Sequence, residues 1–133
     1  MKISIITVCF NSSKTIEKTF QSIKNQSYQN LEYIVVDGGS SDDTLKIIKN
    51  YSSCISNYIS ESDKGLYDAM NKGISMATGD IIGILNSDDI FVDNYVLEKV
   101  AKFHTKNSID ASVGNITQFN KNDKVIRKYS AKN

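Results

Sequence analysis

The chain of 133 residues has no proline, one arginine and two cysteines. Because Arg127 is the single guanidinium, recognition of phosphates or bases by several bidentate arginines is excluded. Cys9 and Cys54 have neither a metal-site spacing nor the pattern of a disulfide framework, and we expect Cys9, which lies in an apolar run, to be a buried free thiol. The formal net charge of +1 lacks the basic excess that nucleic-acid binding favours, so we expect no nucleic-acid partner.

Long apolar runs are absent as well. The longest ones, at residues 3–10 and 81–85, are far below the ~20 residues that a membrane-spanning helix needs, and no signal peptide is visible. We therefore expect a cytoplasmic globular domain, alone or as part of something larger. The sequence also lacks a P-loop, a GxGxxG after the first strand and a GxSxG nucleophile elbow. A nucleotide would therefore not be held by a glycine-rich loop at a helix N-terminus.

Short apolar runs alternate with amphipathic stretches along most of the chain. The runs predict strands at residues 2–10, 31–36, 55–60 and 80–85, each followed by a helix. Two further strands, at 110–119 and 124–129, are expected to form a closing antiparallel pair. Four successive β-then-α units indicate an α/β fold with a mostly parallel central sheet and helices on both faces.

The helical spacing also predicts which side chains face the core. The third helix is expected to carry one apolar face of Leu66, Met70, Ile74 and Ala77, and the fourth helix is expected to carry one of Val96, Val100 and Phe103. This orientation of the fourth helix leaves His104, the only histidine, on its polar side at the surface.

The even charge balance conceals an uneven distribution of acids. Ten of the fifteen acidic residues fall between Asp37 and Asp93, several of them where strands should end. In parallel sheets, ligands bind outside the carboxyl ends of the strands. The segments expected at those ends are residues 10–11, 37–40, 61–63 and 86–89. Three of these four segments carry carboxylates, which predicts a binding site at this edge of the sheet.

Asp88 and Asp89 follow a buried strand, where two ionised neighbours repel each other unless a cation or hydroxyl groups stabilise them. Carboxylate oxygens at such a place suit Mg²⁺ or Mn²⁺, which proteins hold with one or two carboxylates and substrate phosphates. The alternative is that one of the pair only caps the following helix, a task for which Asp93 is better placed.

Four ordered blocks of the sequence are recognisable: IITVCFN at residues 5–11, IVVDGGSSD at 34–42, ESDKGLYDAMNKG at 61–73 and GDIIGILNSDD at 79–89. In this order they resemble the family 2 glycosyltransferases, in the form found in bacterial polysaccharide biosynthesis. The resemblance implies the GT-A fold, a Rossmann-like nucleotide-diphospho-sugar transferase architecture. By it, residues 1–133 are a single nucleotide-sugar-binding domain that we expect to be truncated at its C terminus.

The resemblance also assigns roles to individual residues in binding a nucleotide-diphosphate sugar. By it, Asn11 and Asp37 lie beside the base, and Asp63 lies near the base and ribose. Asp88 would face the ribose, and Asp89 would coordinate Mn²⁺ or Mg²⁺ on the diphosphate. The residue types agree, since ionised carboxylates accept hydrogen bonds strongly from a base imide or a ribose hydroxyl.

Two departures from the family pattern and one ambiguous block stand out. Gly38 occupies a position where the family often has a second aspartate, and Asn86 opens the metal motif in place of an aspartate. In the third block, Lys72 either reaches a phosphate or is a solvated lysine before a glycine C-cap. The same choice between a functional and a surface role applies to Tyr67 and Asp68.

A sugar transfer of the inverting type, which the resemblance implies, needs a general base for the acceptor hydroxyl. In the resembled family the general base is a carboxylate that lies well after the metal motif. Asp110 and Asp123 have the wrong sequence context for this role, so we name no catalytic residue. We expect a base beyond Asn133. The predicted function is hexosyl transfer from a nucleotide-diphosphate sugar to an acceptor hydroxyl, in cell-surface polysaccharide synthesis.

The implied partners are the sugar donor and a glycan or lipid-linked acceptor. A lipid-linked acceptor leaves peripheral association with the inner face of the membrane open, although no basic amphipathic helix supports it. Two alternatives remain at this point. One is another nucleotide-sugar enzyme such as a nucleotidyltransferase, and the other is a non-catalytic nucleotide-binding or interaction module.

Overall fold

The computed structural model describes residues 1–131, so the predicted domain end at Asn133 lies outside the described residues. The strands of its sheet are β1 (Ile3–Cys9), β2 (Leu31–Asp37), β3 (Asn57–Ser60) and β4 (Ile81–Ile84). The helices are α1 (Ile16–Lys24), α2 (Thr44–Asn50), α3 (Leu66–Met76) and α4 (Val96–Asn107). After α4 come two more strands, β5 (Ile116–Phe119) and β6 (Val125–Tyr129).

The strands β1 to β4 are parallel and lie in the order β3-β2-β1-β4. Ile3 of β1 pairs with Leu31 on one side and with Ile81 on the other. Strands β5 and β6 form a separate antiparallel pair. The predicted α/β fold with a parallel sheet and the predicted closing pair are both confirmed, but β5 begins at Ile116, so Asp110 lies in the coil before it.

Side chains of β1 alternate between two hydrophobic layers, because successive residues of a strand point to opposite faces of a sheet. Ile3 and Ile5 belong to the layer that contains buried residues of α1, α2 and α4. Ile6 and Val8 belong to the layer that contains Ala69 of α3. Every residue of β1 is buried. The predicted helices on both faces are therefore confirmed.

The predicted face of α3 is confirmed only in part, because Met70 and Ala77 pack against the hydrophobic layer that contains Ala69 but Leu66 and Ile74 are exposed. The helix buries Ala69 and Gly73, whereas Leu66 and Ile74 are 51% and 43% exposed. A Cβ on Gly73 would lie only 2.5 Å from Cγ2 of Ile6, so α3 approaches the sheet more closely than a larger side chain would permit. Close packing of small residues therefore decides the orientation, and Gly73 lies inside the helix instead of capping its end.

The predicted face of α4 is likewise confirmed only in part, because Val100 packs against the layer that contains buried residues of α1, α2 and α4 but Phe103 is exposed. The residues that α4 buries are Leu97, Ala101 and His104, while Phe103 is 47% exposed. His104 is 9% exposed, and its Nε2 lies 2.9 Å from Oγ of Ser112. The single histidine is thus a partner of the segment that follows the helix and not a surface residue.

Glu32 of β2 is a buried carboxylate near the edge of the sheet where the strands begin. It accepts hydrogen bonds from Oγ of Ser4, from the backbone N and Oγ1 of Thr78, and from Nζ of Lys2. Burial alone would raise the pKa of Glu32, but these hydrogen bonds outweigh it and lower the pKa from 4.5 to about 2. The carboxylate therefore fastens the loop between α3 and β4 to the sheet.

Replacing this carboxylate by the neutral amide in Glu32→Gln should lower the free energy of unfolding near neutral pH by about 1–3 kcal/mol, because one amide cannot accept from all of these donors. Since the pKa is lower in the folded state, the stabilisation is complete above about pH 4.5 and is lost as the pH falls towards 2. The measurement is the urea concentration at the midpoint of unfolding, determined for both chains at several pH values between about 6 and about 2.5. The parent chain should lose stability more steeply than Glu32→Gln. Glu17→Gln, at an exposed site, is the control. The same dependence of the free energy of unfolding on pH in the parent chain and in Glu32→Gln would contradict the prediction.

Candidate functional site

The carboxyl ends of β1 to β4 meet at one edge of the sheet, where the segments that follow them surround a cleft of about 700 Å³. Its lining residues come from all four segments: residues 11–15 after β1, Asp42 after β2, Asp63 after β3 and residues 86–88 after β4. Ala69 of α3 contributes to an apolar wall. The convergence of strand ends that the sequence predicts is therefore present in the fold.

The structure divides the six predicted site residues into two groups. Asn11, Asp63 and Asp88 line the cleft. Asp37, Lys72 and Asp89 do not; other parts of the chain engage the side chains of Asp37 and Lys72 and the backbone of Asp89.

Asp37 is completely buried at the end of β2. Its carboxylate accepts hydrogen bonds from the backbone N of Gly39 and Ser40, at 3.2 and 3.0 Å, and from Oγ of Ser60 at 2.7 Å. Burial would raise the pKa of Asp37, but the hydrogen bonds from Ser40 and Ser60 outweigh it and hold the pKa below its ordinary value. Asp37 therefore stays ionised and fixes the turn after β2.

Cys9 is the buried free thiol that the sequence predicts. Its Sγ lies 3.5 Å from Oδ1 of Asp37. Burial, and then the negative charge of Asp37, raise the pKa of the Cys9 thiol well above its ordinary value, so the thiol stays protonated.

Asn11 joins the segment after β1 to the segment after β2. Its φ of 46° is left-handed, a conformation that asparagine adopts more readily than most residues. Its Oδ1 accepts hydrogen bonds from the backbone N of Ser41 at 2.9 Å and of Asp42 at 3.3 Å, and its own backbone N donates to Oγ of Ser40 at 2.8 Å. The amide oxygen of Asn11 is thus occupied within the fold.

Lys72 fastens the segment that connects β3 to α3. Its Nζ lies 3.0 Å from a carboxylate oxygen of Glu61 and 3.5 Å from one of Asp68, and it donates to the backbone oxygen of Ser62 at 3.3 Å. The hydrogen bond to Glu61 is the main reason why the pKa of Lys72 lies above its ordinary value. Asp63, which lines the cleft, lies within the segment held in this way.

The segment after β4 forms a tight acidic turn. The backbone N of Asp89 donates to the backbone oxygen of Asn86 at 3.0 Å, and Oγ of Ser87 lies 2.9 Å from Oγ of Ser12 across the cleft. Partial desolvation, and then the charge of Asp88, raise the pKa of Asp89 above its ordinary value. The charge of Asp88 thus disfavours the ionised form of Asp89, an effect that a nearby cation would offset.

The donor set at this turn fits a hard divalent cation. Oδ1 of Asn86 is buried and has no hydrogen-bond partner in the described part of the chain. Together with the carboxylates of Asp88 and Asp89 it offers only oxygen, which Mg²⁺ and Mn²⁺ prefer. Within residues 1–131 no group of three or more His, Cys, Asp or Glu side chains is placed to hold a metal. Metal binding by one or two carboxylates and a substrate phosphate remains compatible with this arrangement.

The family described as "Glycosyl transferase family 2" matches residues 4–132. The chain belongs to glycosyl transferase family 2. This confirms the family that the four sequence blocks resemble, and the solved structures similar to it confirm the GT-A architecture.

Three similar proteins illustrate the family. "UDP-Glc:alpha-D-GlcNAc-diphosphoundecaprenol beta-1,3-glucosyltransferase WfgD" of Escherichia coli is 35% identical over 97% of this chain and 51% of its own length. Staphylococcus aureus TarS, solved with UDP-GlcNAc, has a TM-score of 0.74 and 26% identity over 81% of this chain and 32% of that one. Glucosyl-3-phosphoglycerate synthase of Mycobacterium tuberculosis, solved with Mn²⁺ and UDP, has a TM-score of 0.56 and 25% identity over 65% of this chain and 33% of that one.

The chain spans between about a third and about a half of the length of most curated relatives it matches. In the described residues, no helix has both the length and the hydrophobicity needed to cross a membrane.

Helix α1 (Ile16–Lys24) and Gln26, which follows it, hold the acidic turn and the residues after it through three polar side chains that our sequence analysis missed. Oγ1 of Thr19 donates to the backbone oxygen of Asp89 at 2.8 Å, and Oγ of Ser22 accepts from the backbone N of Phe91 at 3.3 Å. Nε2 of Gln26 donates to the backbone oxygen of Asp93 at 2.7 Å. Thr19 and Ser22 lie three residues apart on one face of α1, which is the signal that could have identified them, whereas Gln26 lies beyond the end of the helix at Lys24.

Removing the hydroxyl in Thr19→Val, at nearly constant volume, should lower the free energy of unfolding by about 1–2 kcal/mol, because the backbone oxygen of Asp89 loses a buried partner. The turn should also open more often, so amide hydrogen exchange at residues 87–91 should accelerate. Thr105→Val is the matched control, since Oγ1 of Thr105 donates to the backbone oxygen of Ala101 at 2.8 Å within α4. Equal exchange rates at residues 87–91 in the two variants would contradict the anchoring role of Thr19.

Proposed function

We propose that this chain is the donor-binding part of a glycosyltransferase that transfers a sugar from a nucleotide-diphosphate sugar to an acceptor hydroxyl, with a divalent metal. The observation that carries the proposal is the cleft at the carboxyl ends of the strands, where Asp63 and Asp88 face a common space beside the unpartnered oxygen of Asn86. The names of WfgD and TarS, which include UDP-Glc and UDP-GlcNAc, support a nucleotide-sugar donor.

The cleft residues have distinct proposed tasks. Asp63 and Asp88 accept hydrogen bonds from the base and the ribose, since ionised carboxylates are strong acceptors. Asn11 and Asp37 act at the base end by fixing the turns around it, because their oxygens are already occupied there. Lys72 keeps Asp63 in place through its contacts with the segment around it.

Asp89, with the unpartnered oxygen of Asn86 beside it in the described part of the chain, would hold Mn²⁺ or Mg²⁺. When bound, the metal neutralises the charge that develops on the departing nucleoside diphosphate. The Mn²⁺ in the structure of the M. tuberculosis synthase supports the choice of ion. Neither Asp110 in the coil after α4 nor Asp123 in the turn of the β5–β6 pair lines the cleft, so we assign neither as the general base.

The wider role follows from the relatives. We propose an acceptor that is a glycan or a lipid-linked glycan, because the name of WfgD includes a diphosphoundecaprenol acceptor. With such an acceptor, the proposed role is in bacterial cell-surface polysaccharide synthesis, with peripheral association at the inner face of the membrane.

Donor binding is tested by thermal denaturation with uridine, guanosine or thymidine diphosphate in the presence of Mn²⁺. At a ligand concentration of about 100 times Kd, binding stabilises the folded state by about 2.7 kcal/mol, which should raise the Tm by roughly 10 °C. Asp89→Asn should abolish the part of this increase that depends on Mn²⁺, whereas Asp110→Asn, at an exposed site, should preserve it.

Three results would contradict the proposal. One is the absence of stabilisation by any of the three diphosphates with Mn²⁺. Another is release of pyrophosphate from a nucleoside triphosphate and a sugar phosphate, which would identify a nucleotidyltransferase. The third is metal-independent association with a protein partner together with indifference to nucleotides, which would identify an interaction module.

A further inference from the structure

Gly38 follows Asp37 at the end of β2, and its backbone does not require glycine. Its φ is not in the left-handed region, in contrast to Gly39 with φ 84°. What position 38 lacks is space. A Cβ there would lie 2.6 Å from Oδ2 of Asp63 and 3.3 Å from its Cγ, well inside van der Waals contact. The other close neighbour, Cδ2 of Phe10, would be at an ordinary 3.5 Å. The missing side chain of Gly38 therefore makes room for one carboxylate in particular.

The carboxylate of Asp63 is also held from its other side. Its Oδ1 accepts a hydrogen bond from the backbone N of Gly65 at 2.8 Å. Gly65 has φ 112° and immediately precedes α3, so this bond ties Asp63 to the start of a helix packed on the sheet. One oxygen is thus fixed by the backbone of Gly65, and the other lies against the backbone of Gly38. Between these two contacts the carboxylate lines the cleft.

We propose that Gly38 is a positioning residue of the donor site, which admits the carboxylate of Asp63 to the cleft wall and so sets the affinity for a nucleoside diphosphate. The inference rests on the proposed function, since it assumes that Asp63 contacts the nucleotide. The atoms that a methyl group at position 38 would meet most closely belong to the end of a side chain and not to the backbone. A side chain there should therefore displace the carboxylate while leaving the fold intact.

The test is isothermal titration calorimetry of the full chain in the presence of Mn²⁺. The ligand is the uridine, guanosine or thymidine diphosphate that stabilises the chain most. Gly38→Ala should raise Kd about tenfold, as expected for one displaced charge-assisted hydrogen bond. Its Tm without ligand should remain close to that of the parent chain. Gly114→Ala is the matched control, because a Cβ at Gly114 would meet no atom within 4 Å. An unchanged Kd for Gly38→Ala would overturn the positioning role.

A double-mutant cycle separates positioning from a general effect on the cleft. Asp63→Ala should itself raise Kd, and adding Gly38→Ala should then have no further effect, because the carboxylate that the methyl group displaces is gone. An equal loss of affinity in both backgrounds would overturn the proposal. If Gly38→Ala alone does not fold, folding of the double variant would support the steric coupling, and unfolding of both would overturn it.

A rescue experiment tests the same coupling in the opposite direction. A Cβ at position 38 points towards the place of Oδ2 of Asp63, so a carboxylate carried by position 38 should occupy the space that Asp63→Ala leaves empty. Gly38→Asp combined with Asp63→Ala should therefore recover part of the affinity that Asp63→Ala loses, which a merely structural role of Gly38 does not explain. Affinity no better than that of Asp63→Ala would count against the proposal.

The behaviour of the parent chain distinguishes failure of this inference from failure of the proposed function. A parent chain that binds none of the three diphosphates would overturn both. A parent chain that binds one of them, with Kd unchanged in Gly38→Ala, would overturn the positioning role alone.

Discussion

The parallel pairing of β1 with β2 and β4 is the constraint on which the rest of the structure depends. Parallel strands need a crossover between them, and these crossovers place helices on both faces, so that every residue of β1 is buried. The same pairing brings the carboxyl ends of all four strands to one edge. The cleft is a direct result, because each segment after a strand must begin there.

The acids at that edge are of two kinds, which differ in what their oxygens contact. Asp37 is buried, and donors from the chain occupy both of its oxygens. Asp63 and Asp88 line the cleft, where their carboxylates can accept hydrogen bonds from a ligand. A buried carboxylate such as that of Asp37 therefore fixes the backbone beside the cleft but does not line the cleft itself. Only a carboxylate of the second kind can gain further hydrogen bonds when a ligand binds.

The sequence could predict the strands, because apolar runs mark them. It could also predict that they are parallel and that their carboxyl ends converge, because a helix follows each of the four strands. The faces of α3 and α4 could be predicted only in part. Counting large apolar residues selects Leu66 and Phe103, whereas α3 turns Gly73 to the sheet because glycine permits a closer approach, and His104 is buried beside Ser112 of the following segment. For the same reason, the sequence could identify acids at strand ends but could not separate the buried Asp37 from the cleft residue Asp63. That distinction depends on where Ser40 and Ser60 lie in space.

The carboxylates at the two edges of the sheet have opposite surroundings. Near the start of the strands, Glu32 is surrounded by donors and stabilises the fold. After β4, Asp88 and Asp89 lie side by side, and no salt bridge to either is formed in the described part of the chain. Their mutual repulsion costs stability, so the turn needs support from elsewhere, which Thr19 of α1 supplies through the backbone oxygen of Asp89. Because this support comes from the backbone, the carboxylates themselves stay available to a cation.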